Sequence, residues 1–278
     1  MKLLKLALML LLCGGPAMAA EGVLQINQTC AAVGCFDGDL PGFPVTITHA
    51  GSYRLTSNLD LSDYGSPGYA LGIQVNGTDI TIDLNGFSIQ GGITCTGTPV
   101  TSCSDAAEGG AGIKTSSASY GVAIRNGHVN GFSDGVYCYR DCTIENIEAS
   151  GNASNGISIQ NTFGLIRNSS ARGNGDYGFL VTGTIIDSVA EGNGTYGIFM
   201  QPGGIARGNT SRRNGGNGFR CYSCLLHNNI SYGNGGYGVE MGSRAAWGGN
   251  LVSDNDAGAI TGSGLSLTPN RCDTTTCP

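Results

Sequence analysis

The 278-residue sequence predicts an all-β solenoid, a parallel β-helix of about nine coils with a cap at each end. Three observations predict it. A Gly followed by two apolar residues at alternating positions returns every 19 to 22 residues. An Asn returns in phase with it. The units between carry short period-two stretches and no helical pattern. A unit of about twenty residues is too small to bury its own apolar face, and stacking equal coils solves that problem.

Composition agrees. Gly contributes 48 residues and hydrophobic types 40%, whereas Pro contributes only 8 and no Gly-X-Y period exists. Collagen and wholesale disorder are thereby excluded. With 12% charged residues and a formal net charge of -6, the chain lacks the clustered Lys and Arg that phosphate backbones require, so nucleic acid is not an expected partner.

Taken in order, residues 1–19 read as a signal peptide. Lys2 and Lys5 form its basic start, Leu6 to Leu12 its apolar run, and Ala17-Met18-Ala19 its cleavage pattern. No later stretch approaches eighteen apolar residues, so no membrane span is expected. Residues 20–60 are expected to cap the first coil and 258–278 the last, because open coils expose strand edges. The β-helix is expected over 61–257.

The Gly-led units begin at Gly72, Gly112, Gly135, Gly156, Gly178, Gly197, Gly218 and Gly238, with a degenerate one at Gly258. Alternation sends Val136, Ile157, Phe179, Ile198, Phe219 and Val239 inward. Further apolar columns run through Ile144, Ile166, Ile185, Ala206, Leu226 and Trp247, and through Ala149, Ala171, Ala190, Ser211, Ser231 and Val252. The Asn column is Asn152, Asn174, Asn193, Asn214, Asn234 and Asn255. Its amides are expected to bond along the stack at one turn while tolerating a left-handed backbone. Gly72 to Gly112 spans about one coil plus an insertion loop at about 91–111, which holds Asp105 and Glu108. Long loops on repeat scaffolds often carry function.

Removing Cys13 with the leader leaves ten cysteines in five close pairs. They are Cys30 with Cys35, Cys95 with Cys103, Cys138 with Cys142, Cys221 with Cys224, and Cys272 with Cys277. Export favours disulfides within each pair. Metal or redox chemistry at Cys221-Tyr222-Ser223-Cys224 is the rival reading, but no second C-x-x-C stands at zinc spacing and no βαβ context surrounds this one. No Ca²⁺ repeat of the Gly-Gly-x-Gly-x-Asp type is present. Neither a metal nor a cofactor is expected.

The Gly-Ile-x-Val units, the Asn column, the opening Pro41-Gly42-Phe43-Pro44-Val45-Thr46-Ile47, and the segments Gly51–Thr56 and Ile80–Phe87 together resemble secreted bacterial right-handed parallel β-helix repeat proteins of the pectin-lyase-like superfamily. The resemblance covers roughly residues 45–265. It implies a right-handed helix. It also implies a role among polysaccharide lyases, hydrolases, epimerases, adhesins and phage fibres.

On such a scaffold, ligands bind a long face built from one outward column per coil. Gln74, Lys114, Tyr137, Ser158, Leu180, Phe199, Arg220 and Glu240 form one column. Asn76, Ser116, Tyr139, Gln160, Thr182, Gln201 and Tyr222 form the next. Rings stack on sugar faces and amides take hydroxyls, so Gln74, Tyr137, Tyr139, Gln160, Phe199 and Tyr222 are the expected substrate-binding residues. The same Tyr and Thr are also ordinary strand formers on a solvated surface. Carboxylate pairs of the polygalacturonase kind, the Arg-rich motif of pectate lyases and an Asp-Pro-His are all missing. A uronate lyase needs a base near the sugar C5 proton and a cation for the developing enolate. Lys114 is the base expected, being the only Lys outside the leader, and Arg125 or Arg140 supplies the cation. His128 stands alone and reads as structural.

The expectation is therefore a secreted, periplasmic or extracellular monomer that engages a polysaccharide, with lyase or epimerase chemistry if it is an enzyme. A non-catalytic surface, adhesion or envelope-structural β-helix is the alternative.

Overall fold

The computed structural model describes residues 22–105, 109–273 and 275–277. The expected leader and Glu108 lie outside the described residues. Three parallel sheets wind together. Sheet 1 holds the Gly-led strands, from Val45–Ile47 through Leu71–Val75, Ala111–Thr115 and Asp134–Cys138 to Gly258–Gly262. Sheet 2 runs from Val23–Ile26 to Leu265–Ser266. Sheet 3 runs from Leu59–Asp60 to Arg271–Cys272. Each coil visits the sheets in the order 1, 2, 3. Among the described residues, helix is confined to Gln28–Ala31 and a 3₁₀ turn at Pro67–Tyr69.

The stack extends past the expected boundaries of the helical region. Segment 20–60 supplies strands to all three sheets, and 258–278 supplies the last strand of each. A short antiparallel pairing of Arg271–Cys272 with Thr275–Thr276 closes the far end.

Register explains the repeat. Val136 pairs with Ile157, Ile157 with Phe179 and Phe179 with Ile198, so equivalent side chains stack directly. Each sheet contributes one inner column, and Phe179, Ile185 and Ala190 are fully buried representatives. The two serines of the third column are satisfied inside: Ser211 Oγ donates to Gly218 O at 2.7 Å and Ser231 Oγ to Gly238 O at 2.8 Å.

The Asn column forms as expected. The Asn174 backbone N–H and Nδ2 donate to Asn193 Oδ1 at 3.0 and 2.9 Å, and the link is copied from Asn152 to Asn255. This ladder also accounts for the Gly that opens each sheet-1 strand from Gly135 to Gly238. A Cβ on Gly178 would stand 2.7 Å from Asn193 Nδ2 and 2.7 Å from Gly197 O. The left-handed residue is not the ladder Asn, however. It is the residue before it, as at Gly173 (φ 58°) and Gly192 (φ 67°), because the buried amide needs an ordinary backbone to aim along the stack.

A second ladder lies between sheets 2 and 3. Ser169, Ser188, Asn209, Asn229, Asn250 and Asn270 repeat the same link, with Asn209 N–H and Nδ2 on Asn229 Oδ1 at 2.9 and 3.0 Å.

All five expected disulfides are present, each within its own close pair. Cys30 is bonded to Cys35 in the first segment, beside the short helix Gln28–Ala31. Cys138 is bonded to Cys142, and Cys221 to Cys224; both bridges clip the corner between a sheet-1 strand and the sheet-2 strand that follows it. The C-x-x-C pair is therefore joined as a disulfide at a corner of its coil. Cys272 is bonded to Cys277 at the closing end of the stack. Cys95 is bonded to Cys103 across a hairpin within the 91–111 insertion. That hairpin folds back along the stack, and Val100 N–H donates to Gly192 O at 3.0 Å.

Urea unfolding checks the packing. Phe179→Ala should cost about 3–5 kcal/mol by leaving a cavity in a fully buried column. Asn193→Ala should cost about 1–3 kcal/mol by orphaning the ladder donors of Asn174.

Candidate functional site

The outer face of sheet 1 carries the expected columns in register: Lys114 lies between Gln74 and Tyr137, and Tyr137 lies beside Ser158. The face is not uniformly open. Ser158 is fully buried beneath Gln160, which donates to its hydroxyl, and Leu180 is only 8% exposed. Two distinct clusters stand on either side of this closed centre.

The first is a cleft of about 360 Å³ lined by Lys114, Ser133, Asp134, Tyr137, Asn155 and Gln160, with Gly109 and Gly110 of the insertion as its wall. Lys114 Nζ donates to Gly109 O at 3.1 Å and lies 5.4 Å from the Tyr137 ring centre. Asp134 accepts from Asn155 N–H at 3.1 Å and Nδ2 at 2.8 Å. Burial pushes its carboxyl above the usual range, against the pull of those hydrogen bonds and of nearby Lys114. Burial, with the Asp134 charge, likewise raises the Tyr137 phenol, so it stays a proton donor at neutral pH. Asn155 Oδ1 is buried with no protein donor.

Just beyond the strand, the Arg140 guanidinium lies 5.5 Å from the Tyr139 ring, and Arg140 Nε is buried without a protein acceptor. Tyr139 and Gln160 sit on the next outward positions, as expected. Gln74 is in the same row but turns to its own strand end, donating to Val75 O and Asn76 Oδ1.

The second cluster is aromatic. Tyr177 and Tyr196 stack with centres 5.5 Å apart, and Phe199 meets Tyr177 edge-on at 5.5 Å. The Arg220 guanidinium covers Phe199 at 4.8 Å and Tyr222 at 4.6 Å, and Glu240 accepts from Tyr222 and Asn217. Phe199 and Tyr222 were expected on this face. Tyr177 and Tyr196 were not, because they precede the Gly of their coils and belong to the Asp134 column rather than to an alternating strand position.

Arg125 is a correction. It stands on sheet 2, with Nε 3.5 Å from Asp83 Oδ2 and Glu145 beside it in register. The structure does not bring it to Lys114. Asp134 was missed: Ser133-Asp134-Gly135 reads as turn composition, and no other coil places an acid there. Among the described residues, no three His, Cys, Asp or Glu side chains come together in a way that could hold a metal. No helix there is long and apolar enough to cross a membrane.

Residues 134–274 match the family described as the right handed beta helix region. The chain belongs to this right-handed β-helix family. Solved structures agree on the fold. The A-module of the Azotobacter vinelandii mannuronan C-5 epimerase AlgE6 aligns at TM-score 0.56 and 16% identity, covering 91% of this chain and 80% of the other. The pectate lyase Pel9A aligns at TM-score 0.56 and 15% identity, covering 91% and 70%. The periplasmic alginate epimerase AlgG aligns at TM-score 0.51 and 15% identity, covering 88% and 83%. At such identities the likeness is one of fold. No curated protein matches the chain. Its right-handed β-helix places both clusters along one sheet, about one residue per coil.

The Asp134 environment is testable. A carboxyl whose folded pKa is raised contributes stability that is present below its ordinary range and lost as pH rises through the raised value. Asp134→Asn keeps an acceptor for Asn155 and cannot ionise. It should therefore raise Tm near neutral pH and leave it unchanged below about pH 3.9, in thermal melts of both proteins across that range.

Proposed function

We propose that the outer face of sheet 1 binds an acidic extracellular polysaccharide, with Lys114 as base of a uronate lyase or epimerase reaction. The cleft carries this reading. It places an amine, a carboxyl, a phenol and an amide on one wall-bounded surface, open to a chain lying along the solenoid. Removing the C5 proton of a uronate needs a base and a cation for the enolate charge. Lys114 fills the first role and Arg140 the second, while the Tyr137 phenol can donate to a sugar oxygen. Gln160, Tyr139 and the more distant Phe199 and Tyr222 supply stacking and hydrogen bonds to neighbouring units. Five disulfides suit an oxidising compartment, consistent with a secreted, periplasmic or extracellular protein. Similar solved structures named as a mannuronan epimerase, a pectate lyase and an alginate epimerase support the substrate class.

One observation favours a non-catalytic binding module instead. Lys114 is already held by Gly109 O, and Asp134 by Asn155, so the groups are positioned without a substrate. Incubating the purified protein with uronic-acid polymers separates the readings. Unsaturated ends, or exchange of the C5 proton with solvent, that fall at least about 100-fold in Lys114→Ala establish turnover. Binding without turnover, weakened several-fold by Tyr139→Ala, establishes the module. No binding to any uronate polymer removes both.

A further inference from the structure

Sheet 3, on a different side of the solenoid from the cleft, gathers positive charge in a chain of formal net charge -6. Arg172, Arg212 and Arg213 converge on Glu191: Arg212 Nη2 is 2.9 Å from Oε2, Arg213 Nη1 is 3.6 Å from Oε1, and Arg172 Nη1 is in direct contact with Oε2. The Arg212 hydrogen bond, then the charges of the three guanidiniums, hold the Glu191 carboxyl below its usual range. The balance of partners is lopsided. Three guanidiniums carry about fifteen N–H donors, and a carboxylate offers about four acceptor positions. Glu191 is 16% exposed, whereas the arginine side chains are 42%, 41% and 62% exposed. Arg212 Nε is buried without a protein acceptor, while the three side chains as wholes remain open to solvent.

Arg213 adds a second, independent observation. It occupies the left-handed position that follows each sheet-3 strand, with φ 52°, where the neighbouring coils place Gly151, Gly173, Gly192 and Gly233. A side chain with a Cβ is disfavoured there relative to Gly. A further coil places Asp254 there, but Asn and Asp tolerate this backbone, and among the described non-Gly residues with positive φ Arg213 alone is neither. A long basic side chain held there at a charged cluster motivates a role beyond packing. Beside the cluster, the disulfide-tied hairpin borders an open cleft of about 340 Å³ lined by Gly97, Thr98, Val100, Arg172, Glu191 and Gly192.

We propose that Arg172, Arg212 and Arg213 form a binding site for an oxyanion group carried on a glycan, a sulfate ester or a phosphate, with Glu191 as the fixed partner that splays the guanidiniums. Planar guanidiniums match such groups in bidentate fashion. This site does not depend on the reading of sheet 1.

The test uses dextran sulfate as probe and unsulfated dextran as control, measured by calorimetry on the whole protein at low and physiological salt. Dextran sulfate should bind, more weakly as salt rises, and dextran should not. Arg213→Gly restores the residue that adjacent coils use, so its Tm should equal or exceed that of the parent while dextran sulfate affinity falls at least fivefold. Arg212→Gln should show a similar loss. Unchanged affinity in both variants, equal binding of dextran, or no binding of dextran sulfate by the parent would overturn the proposal.

Discussion

The structure depends on one amide placed at one corner of each coil from Asn152 to Asn255. The ladder Asn offers its carbonyl to two donors of the preceding coil and its own Nδ2 to the next coil, so adjacent coils are locked at a single register. That lock imposes a steric demand, met by Gly at the head of the sheet-1 strands from Gly135 to Gly238. With Asn and Gly fixed in these turns, the side chains between them cannot slip by one position, which in a strand would turn the whole inner column outward. The second ladder, between sheets 2 and 3, does the same for the opposite corner. Function inherits this rigidity: the outward groups of sheet 1 are held at coil spacing, about 4.8 Å, with no helix or mobile domain needed to align them.

Features that repeat were legible in the sequence, and features that occur once were not. The inner columns and the Asn column could be read because the same chemistry returns at a fixed step. The cysteine pairs could be read because each partner, as in Cys138 with Cys142, lies within a few residues of the other. The second ladder escaped notice because it begins with Ser169 and Ser188, and its later members follow Gly, Asn or Pro in what looks like ordinary turn sequence. The left-handed backbone was assigned one residue late, since an Asn that bonds locally and an Asn that bonds along a stack look alike in composition. Arg125 shows a further limit. It follows Lys114 by half a coil, and half a coil carries the chain onto another sheet, where Asp83 takes its guanidinium. Asp134 was invisible for the converse reason: it belongs to no repeated acid, and only burial beside Asn155 makes it unusual.

The two charged regions differ in how their charges are held. In the sheet-1 cleft, amine, carboxyl and phenol face a shared space, and each keeps part of its bonding capacity free. On sheet 3, one carboxylate organises three guanidiniums, leaving an excess of donors. A chain that is acidic in sum thus gathers three guanidiniums at Glu191, while Lys114 shares its cleft with Asp134.

The hairpin tied by Cys95 and Cys103 alters the cooperativity of the whole stack. In a solenoid each repeat touches only its neighbours, and unfolding can fray inward from either end one coil at a time. The hairpin leaves the chain after the coil of Ile89 and reaches the coil of Glu191, bonding Val100 to Gly192 across the intervening turns. Those turns are thereby joined by a contact that no nearest-neighbour description contains. Coils beyond Arg212 remain free to peel away in sequence, whereas the segment between Ile89 and Gly192 must open as one block. The Lys114 cleft lies inside that bridged segment, and the Glu191 cluster stands at its margin.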